Sequence, residues 1–328
     1  MWTAGRGCFP LAPACPDNLF MERKVTRKPG QRQTGLRRTL SRTWTCYLFI
    51  APNMLGVLVF LAYPIVYSFY VSLTRWDFVS APRFVGLDNY VRLFTADRLF
   101  WVSMRVTVTY VLMYVPAVLV AALILALAMN QKLRGIKFVR TAIFVPVVTS
   151  MVAVAIVWVW LLSKDFGLIN IVLRAVGLPG VGWLTNQKTA LPAIAAVGVW
   201  KSMGYNAIIL FAALQSVPRL LYEAAEIDGA NSWHKFWNVT IPMIAPAIVF
   251  VTVTSVIGAF QVFDQAFIMT GGGPGDATYV YNFYFFRQAF GQLKMGYASA
   301  MSYILFLIMF ASAIVQLRLT REAAAAAF

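Results

Sequence analysis

The side chains that most often perform covalent chemistry are scarce in this chain, and their spacing builds no catalytic or metal site. His234 is the single histidine among 328 residues, so neither a Ser-His-Asp triad nor a histidine-based metal site is expected. The three cysteines, Cys8, Cys15 and Cys46, lack metal-binding spacing to His234, and they predict no disulfide framework. No Gly-x-x-x-x-Gly-Lys-Ser/Thr sequence occurs, so the chain is not expected to bind ATP by itself.

Residues 216–242 form a polar segment between two long apolar stretches, and their types predict a short helix that ends in a turn. Ser216 is expected to cap this helix with Pro218 in its first turn, because these residue types favour helix starts. Gly229 is expected to end it, because glycine accepts a left-handed backbone. An ordinary amphipathic connector is the alternative interpretation. The predicted apolar face comprises Leu220, Leu221, Ala224 and Ile227, whereas Glu223 and Glu226 lie on another face.

The apolar composition indicates that the chain lies in a membrane. Apolar residues make up 60% of it and charged residues only 12%, and its mean hydropathy is +0.70. A soluble domain would need more charge to cover its surface, and apolar runs of about 20 residues are long enough to cross a bilayer as helices. We therefore predict an all-α integral membrane protein with six transmembrane helices. The expected spans are Cys46–Leu73, Trp101–Met129, Phe138–Leu162, Ala190–Leu214, Ile244–Met269 and Tyr297–Leu317.

The net charge of +16 suggests nucleic-acid binding at first, but the placement of the basic residues favours orientation in a membrane instead. The basic residues cluster beside apolar runs, as on the cytoplasmic side of a membrane, and they are not interleaved with aromatic residues as in single-strand binders. The short loop between spans two and three contains Lys132, Arg134 and Lys137 and no acid. This pattern predicts that both termini and the segment 216–242 are cytoplasmic.

The sequence predicts three regions of different composition. Residues 1–44 are expected to form a basic, largely disordered cytoplasmic arm, residues 45–320 the transmembrane domain, and residues 321–328 a short tail. We expect residues 1–20 to be dispensable, either as a disordered tail or as an upstream start that is not used. A cleaved signal peptide is the competing interpretation, although the apolar run that follows is too long for one.

Several short motifs occur in an order that resembles a known family. Glu223-Ala224-Ala225, Gly229 and Val239-x-Ile241-Pro242 resemble the EAA loop of the membrane subunits of binding-protein-dependent ABC importers. Further motifs resemble elements of the carbohydrate-type permeases, and the resemblance covers about residues 45–318. It is greatest to the first of the two permease subunits of the maltose and glycerol-3-phosphate type. The further motifs are Gly86-Leu87-Asp88-Asn89-Tyr90, Leu214-Gln215-Ser216-Val217-Pro218, Phe263-Asp264, Thr270-Gly271-Gly272-Gly273-Pro274 and Gly296-Tyr297-Ala298-Ser299-Ala300.

The resemblance implies a transport subunit without chemistry of its own, in the bacterial cytoplasmic (inner) membrane. It would translocate a carbohydrate-type solute that an extracytoplasmic solute-binding protein delivers. ATP and Mg would be used by a partner ABC ATPase dimer, and a second homologous permease subunit would complete the pathway. Membrane lipid is a further expected partner, and nucleic acid is not. The residues expected at the ATPase-coupling loop, which lies between spans four and five, are Glu223, Ala224, Ala225, Asp228, Gly229 and Pro242.

The expected solute pathway is drawn from polar and aromatic residues on the last three spans. Aromatic rings stack on sugar faces and amides bond hydroxyls, although packing between helices is the alternative role for each ring. Asp264 is the acid that falls inside a predicted span, where charge is costly unless it faces protein or water. The candidates are Trp200, Tyr205, Asn206, Gln261, Asp264, Tyr297, Ser299 and Tyr303.

The solute itself stays open among sugar, oligosaccharide, polyol and glycerol phosphate. Lys201 is the one cation placed for a phosphate, so a neutral carbohydrate is favoured. An ion-coupled secondary carrier for a small polar solute is the alternative function. It would be expected to show repeats and charged residues near the membrane midplane, and neither is evident. An integral-membrane enzyme would require clustered acids, histidines or cysteines at membrane depth.

Overall fold

The computed structural model describes residues 47–131 and 136–326, which are almost entirely helical. The proposed arm 1–44 and all three cysteines therefore lie outside the described residues. The chain divides into two compact units, Met1–Leu61 and Ala62–Phe328. In the first unit, the described part is helix α1 (residues 47–57) and the start of the π-helix Leu58–Ala62.

The second unit begins with a helix and a small hairpin and continues as helices. The strands β1 (Thr74–Arg75) and β2 (Arg83–Phe84) pair antiparallel, with Thr74 opposite Phe84. Two further π-helices, Phe236–Thr240 and Arg287–Gly291, interrupt longer helical stretches. The α-helices are α2 (Tyr63–Ser72), α3 (Asp88–Thr95), α4 (Arg98–Asn130), α5 (Ile136–Val148), α6 (Met151–Leu161), α7 (Leu168–Ala175), α8 (Gln187–Ser216), α9 (Arg219–Ile227), α10 (Ser232–Lys235), α11 (Ile241–Phe260), α12 (Asp264–Thr270), α13 (Tyr281–Phe286) and α14 (Met295–Ala326).

Five helical segments of the described chain are long and apolar enough to cross a membrane, and a bent pair makes up to six. This agrees with the predicted all-α membrane class. The five are Tyr47–Ser72, Arg98–Asn130, Gln187–Ser216, Ser232–Phe260 and Met295–Arg318.

The third predicted span, Phe138–Leu162, is not one straight helix. Its segments Thr141–Val148 and Met151–Leu161 meet at an angle of 106°. Ser150 at the break has extended backbone and precedes α6 as its N-cap residue. The Lys201 ammonium of α8 donates hydrogen bonds to the carbonyls of Pro146 (3.0 Å) and Val147 (3.3 Å). Because the last carbonyls of a helix have no partner within it, Lys201 satisfies the end that the break creates.

The fifth predicted span, Ile244–Met269, has the wrong boundaries. The helical segment runs from Ser232 to Phe260, and Gln261 is the C-cap of α11. Asp264 then begins the separate helix α12, a position where an acid interacts favourably with the helix dipole. Asp264 therefore lies beyond the span in which the sequence analysis placed it.

The core of the second unit lies where α4 packs along α8 and α11 contacts both helices. One buried cluster is rich in aromatic residues and includes Phe100, Tyr110 and Tyr281. A second, smaller cluster joins Ala122 and Ala126 of α4 to residues of α8 and α11. Small residues such as these alanines permit close helix contact in membranes. This second cluster lies near α9 and supports it.

Candidate functional site

The start and the end of helix α9 follow from the backbone conformations of Pro218 and Gly229. Pro218 is the N-cap, with extended backbone at φ −61° and ψ 132°. The expected Ser216 cap is wrong, because Ser216 is the last residue of α8 and its hydroxyl donates to the Ala213 carbonyl at 2.7 Å. No side chain caps the start of α9.

Gly229 reverses the chain after α9, as the sequence predicts. Its φ is +79°, a left-handed conformation in which any other residue is strained. The amide of Ala230 donates to the Ala225 carbonyl at 2.8 Å, and the Gly229 amide donates to the Glu226 carbonyl at 3.0 Å. These two bonds form a Schellman motif, which satisfies carbonyls left free at a helix end.

The predicted partner face of α9 is uncovered. No residue of α9 is buried, and the side chains of Leu220 and Ile227 are 72% and 88% exposed. Glu223, Ala224 and Asp228 are exposed as well, whereas Ala225 is partly buried. A short helix with exposed large apolar side chains is the kind of surface that another protein covers.

Two side-chain contacts tie α9 to the start of the next span. The Glu226 carboxylate accepts from the Lys235 ammonium at 2.7 Å, and the Tyr222 hydroxyl bonds the Thr240 hydroxyl at 3.0 Å. Sequence reasoning missed Tyr222, Lys235 and Thr240, because contacts between separate helices leave no local periodicity. These contacts connect α9 to the segment Ser232–Phe260.

The start of that segment has a well-defined local structure. The Asn231 side chain accepts from the His234 amide at 2.9 Å and so caps α10. The His234 ring contacts the same oxygen, also at 2.9 Å. Pro242 occupies the first turn of α11, directly after the π-helix Phe236–Thr240. Pro242 has no amide hydrogen to donate to the preceding turn, and the wider π turn occurs at this place.

The candidate pathway residues have different surroundings in the structure. Trp200 packs edge-on against Trp158 of α6, with ring centroids 5.5 Å apart. The Tyr303 hydroxyl donates to the Ile65 carbonyl and contacts Ser68, so it links α14 to α2. Asn206 is only 5% exposed, and Ser299 is half-buried. Trp200 and Tyr303 therefore each contact a neighbouring helix.

The remaining candidates have more varied surroundings. Tyr205 is 54% exposed on α8. Gln261 and Asp264 are exposed at the break between α11 and α12. Lys201, the cation considered for a phosphate, instead bonds two backbone carbonyls.

Tyr297 belongs to a polar pocket that sequence reasoning did not find. The pocket has a volume of 540 Å³ and lies between the β1–β2 hairpin and the start of α14. Asn89 supports it by donating to the carbonyls of Ser72 (2.8 Å) and Thr74 (2.9 Å). Its lining residues are Arg75, Trp76, Asp77, Ser80, Arg83, Asp88, Asn89, Arg92, Ala96, Asp97, Tyr284, Gln288, Gln292, Lys294 and Tyr297.

Asp97 is the hub of the polar pocket. It caps α4 by accepting from the Phe100 amide at 3.1 Å, and both the Tyr284 and Tyr297 hydroxyls donate to its other oxygen. Burial, reinforced by the Asp97 carboxylate, raises the pKa of the Tyr284 phenol well above its ordinary value. The phenol therefore stays protonated at physiological pH and remains a donor.

The described residues contain no group of three or more His, Cys, Asp or Glu side chains that could hold a metal ion.

Comparisons with known proteins agree on the kind of molecule. The family described as "Binding-protein-dependent transport system inner membrane component" matches residues 93–323. The "Lactose transport system permease protein LacF" of Rhizobium radiobacter is 38% identical over 297 residues, which cover 88% of this chain and 99% of that protein. The "Trehalose/maltose transport system permease protein MalF" of Thermococcus litoralis is 34% identical over 276 residues, covering 84% and 93%.

A solved structure has the same fold. A chain from the "Crystal structure of a bacterial ABC transporter involved in the import of the acidic polysaccharide alginate" superposes with a TM-score of 0.76. The two sequences are 25% identical, and the match covers 88% of this chain and 98% of the other.

Proposed function

The chain belongs to the family of binding-protein-dependent transport system inner membrane components, and we propose that it moves a carbohydrate-type solute into the cell. It is a multi-pass permease subunit of an ABC transporter and not an enzyme. The proposal for the solute is supported by the relatives, whose names specify lactose and trehalose or maltose. The structural match to a transporter for an acidic polysaccharide points to the same class of solute.

We propose that α9 is the site where a partner ATPase transmits movement. The observation that carries this is that no α9 residue is buried, together with the two side-chain contacts that tie α9 to the following span. Glu223, Ala224, Asp228 and Gly229 present the surface, and the small Ala225 allows α9 to lie close to the support beneath it. ATP and Mg²⁺ bind to the ATPase, and its closure moves α9.

Pro242 belongs to the same proposed coupling site. It lies in the first turn of α11, two residues after Thr240, whose hydroxyl bonds Tyr222 of α9. The spans rock between states open to either side, and the solute moves without covalent change.

The transporter requires further subunits in this proposal. A second, homologous permease completes the pathway, a pair of ATPase subunits drives it, and an extracytoplasmic binding protein delivers the solute. Apolar side chains exposed along α4, such as Leu112, Val120 and Ile124, supply surface for lipid or for the second permease.

We place α9 and both termini on the cytoplasmic side of the bacterial inner membrane. The short basic loop around Lys132 and Arg134 supports this orientation. Residues 73–97 and 261–294 then lie on the opposite side, because six spans alternate direction.

Tyr205 is the candidate best placed to meet the solute within the spans. Its ring is exposed on α8, where a second permease would close a cavity. Gln261 and Asp264 lie at an exposed break on the outer side, and they form its entrance. Trp200 and Asn206 on α8 and Ser299 and Tyr303 on α14 stay further candidates for the same pathway.

The coupling proposal is tested with charge changes on α9. Glu223→Lys combined with Ala224→Asp, or Gly229→Asp alone, should leave the protein in the membrane while detaching or uncoupling the ATPase. We would purify the complex and measure ATP hydrolysis stimulated by the binding protein, and uptake of labelled lactose, trehalose and maltose. Gln131→Lys, at an exposed residue outside α9 on the same side of the membrane, serves as the control. Native stimulation and uptake in the α9 variants would refute the coupling role.

A further inference from the structure

The polar pocket contains a buried polar atom that has no partner. Gln288 is 6% exposed, and its Oε1 atom forms no hydrogen bond although the residue lines the pocket. A buried acceptor without a donor is costly, and such an atom is commonly satisfied when a ligand binds. Gln288 also lies in the π-helix Arg287–Gly291, a distortion that is frequent at functional sites.

The acids of the pocket are already engaged by the protein. The Asp77 carboxylate accepts from the amide of Ser80 at 2.8 Å and from its hydroxyl at 2.6 Å, and the bond to the Ser80 hydroxyl is the main reason why its pKa lies below the ordinary value. Asp88 pairs with Arg75 at 3.4 Å, and Asp97 holds the two tyrosine hydroxyls.

The cations of the pocket are less committed. Within the described residues, neither Arg83 nor Arg92 forms an ion pair. The Arg92 guanidinium lies over the buried Tyr297 ring, 5.7 Å from its centroid, and the half-buried Trp76 adds another ring to the wall. Guanidinium groups donate to hydroxyls and carboxylates alike, and aromatic rings provide flat faces for the apolar side of a ring-shaped ligand.

The pocket floor is held in place before any ligand arrives. The Met295 amide donates to the Trp76 carbonyl at 2.9 Å, and the Lys294 amide donates to the Gln288 carbonyl at 2.9 Å. Gly296 lies so close to the Thr74 carbonyl that a Cβ atom would collide with it. A fixed floor lowers the entropy cost of binding.

We propose that this polar pocket is a receiving site for one or two units of a sugar, separate from the pathway inside the spans. A sugar hydroxyl donates to Gln288 Oε1, Trp76 stacks on the ring, and Arg92 binds a hydroxyl or an acidic substituent. The volume of 540 Å³ lies within the ~300–1,000 Å³ typical of small-molecule sites. The inference rests on the proposed transport of carbohydrate, and it adds a site that holds the solute on the side opposite α9.

The test uses the complete transporter without its binding protein, reconstituted in lipid. The probes are labelled lactose, trehalose, maltose and an alginate pentasaccharide. Gln288→Leu should weaken binding of the sugar that binds the native complex by at least tenfold. The unliganded variant should unfold at the same or a higher temperature, because a buried unpaired acceptor has been removed. Trp76→Ala should weaken binding similarly, whereas Trp76→Phe retains most of it.

The controls separate this site from the transport proposal. Gln131→Leu replaces an exposed glutamine at the end of α4 and should leave binding unchanged. Unchanged sugar affinity in Gln288→Leu, in a complex that still imports the sugar, overturns the receiving site and leaves the proposed function intact. If Gln288→Leu weakens binding of the binding protein but not of the sugar, the pocket is a docking surface for that protein. The receiving-site proposal is then overturned as well. If none of the four probes is bound or imported, the carbohydrate proposal fails as well.

Discussion

Gly229 is the residue of α9 whose replacement has the clearest expected effect. No atom lies within 4 Å of the position that a Cβ would occupy, so the cost of Gly229→Ala comes from its backbone alone, roughly 1–2 kcal/mol. The strain should loosen the end of α9 without disturbing the core. We expect normal amounts of protein in the membrane and a several-fold loss of stimulated ATP hydrolysis.

Gly258 provides the matched comparison for that substitution. It also has open space at the Cβ position, but it lies inside the helix α11 without a left-handed backbone. Gly258→Ala should therefore leave stimulation unchanged. Equal effects of the two alanines would remove the special role assigned to the turn after α9.

Lys201 is expected to stabilise the break between α5 and α6 rather than to bind solute. Lys201→Met keeps most of the side-chain volume but leaves the Pro146 and Val147 carbonyls without this donor. Leaving buried acceptors unsatisfied costs about 1–3 kcal/mol. The purified complex should unfold at a lower temperature, as measured by differential scanning fluorimetry.

Lys188→Met supplies the control for Lys201, because Lys188 is an exposed lysine at the start of the same helix. It should leave the unfolding temperature unchanged. A phosphate-bearing solute whose affinity falls with Lys201→Met, at constant unfolding temperature, would instead restore the binding role considered from the sequence.

At the scale of elements, the connection between α9 and α10 makes a prediction about charge. The Glu226–Lys235 pair is largely exposed on the glutamate side, so its contribution to stability should be small, about 0.2–1 kcal/mol. Its effect on coupling should be larger, because it is one of the two polar side-chain contacts described between α9 and the span. Glu226→Lys or Lys235→Glu alone should reduce stimulated ATP hydrolysis, and the two changes together should recover much of it.

The double reversal also discriminates between tethering and surface charge. If the ATPase instead binds the Glu226 carboxylate directly, the combined variant will remain as impaired as Glu226→Lys alone. The Tyr222–Thr240 contact can be examined in the same assay with Tyr222→Phe, which removes the hydroxyl and keeps the ring.

Elements with strong local signals could be predicted from the sequence, and those set by distant contacts could not. Gly229 predicts the turn after α9, because glycine accepts the left-handed backbone that the turn requires. Pro146 alone could not predict the break after α5, because a proline does not always end a helix. Pro116, for example, lies within the long helix α4. The break is completed by Lys201, more than fifty residues further along the chain.

The polar pocket escaped prediction for the same physical reason. Its hub joins Asp97 to Tyr284 and Tyr297, which are separated from it by 187 and 200 residues. Gly296 and Tyr297 were recognised as part of a motif, but their contacts with Thr74 and Asp97 arise only when α14 packs beside the hairpin. The motif therefore identified two residues of the site, but the residues that they contact could be found only in the folded structure.

At the scale of the whole molecule, the proposed orientation predicts which loops are accessible from outside. In a background without Cys8, Cys15 and Cys46, a membrane-impermeant maleimide should label Ser80→Cys in intact spheroplasts. Ile227→Cys should be labelled only after the membrane is permeabilised, because α9 lies on the other side. Labelling of both positions in intact spheroplasts would contradict the six-span arrangement.

The uncovered surface of α9 also bears on how the cell controls the amount of this protein. Leu220 and Ile227 are exposed whenever the ATPase is absent, and chaperones and proteases act on exposed apolar surface of that kind. Copies synthesised in excess of their ATPase should therefore be short-lived, so that degradation balances the two subunits. In a pulse–chase experiment, deleting the ATPase gene should shorten the half-life of the permease. Leu220→Ser combined with Ile227→Ser should restore much of that half-life, and a half-life that is independent of the ATPase would show that α9 is not the signal for degradation.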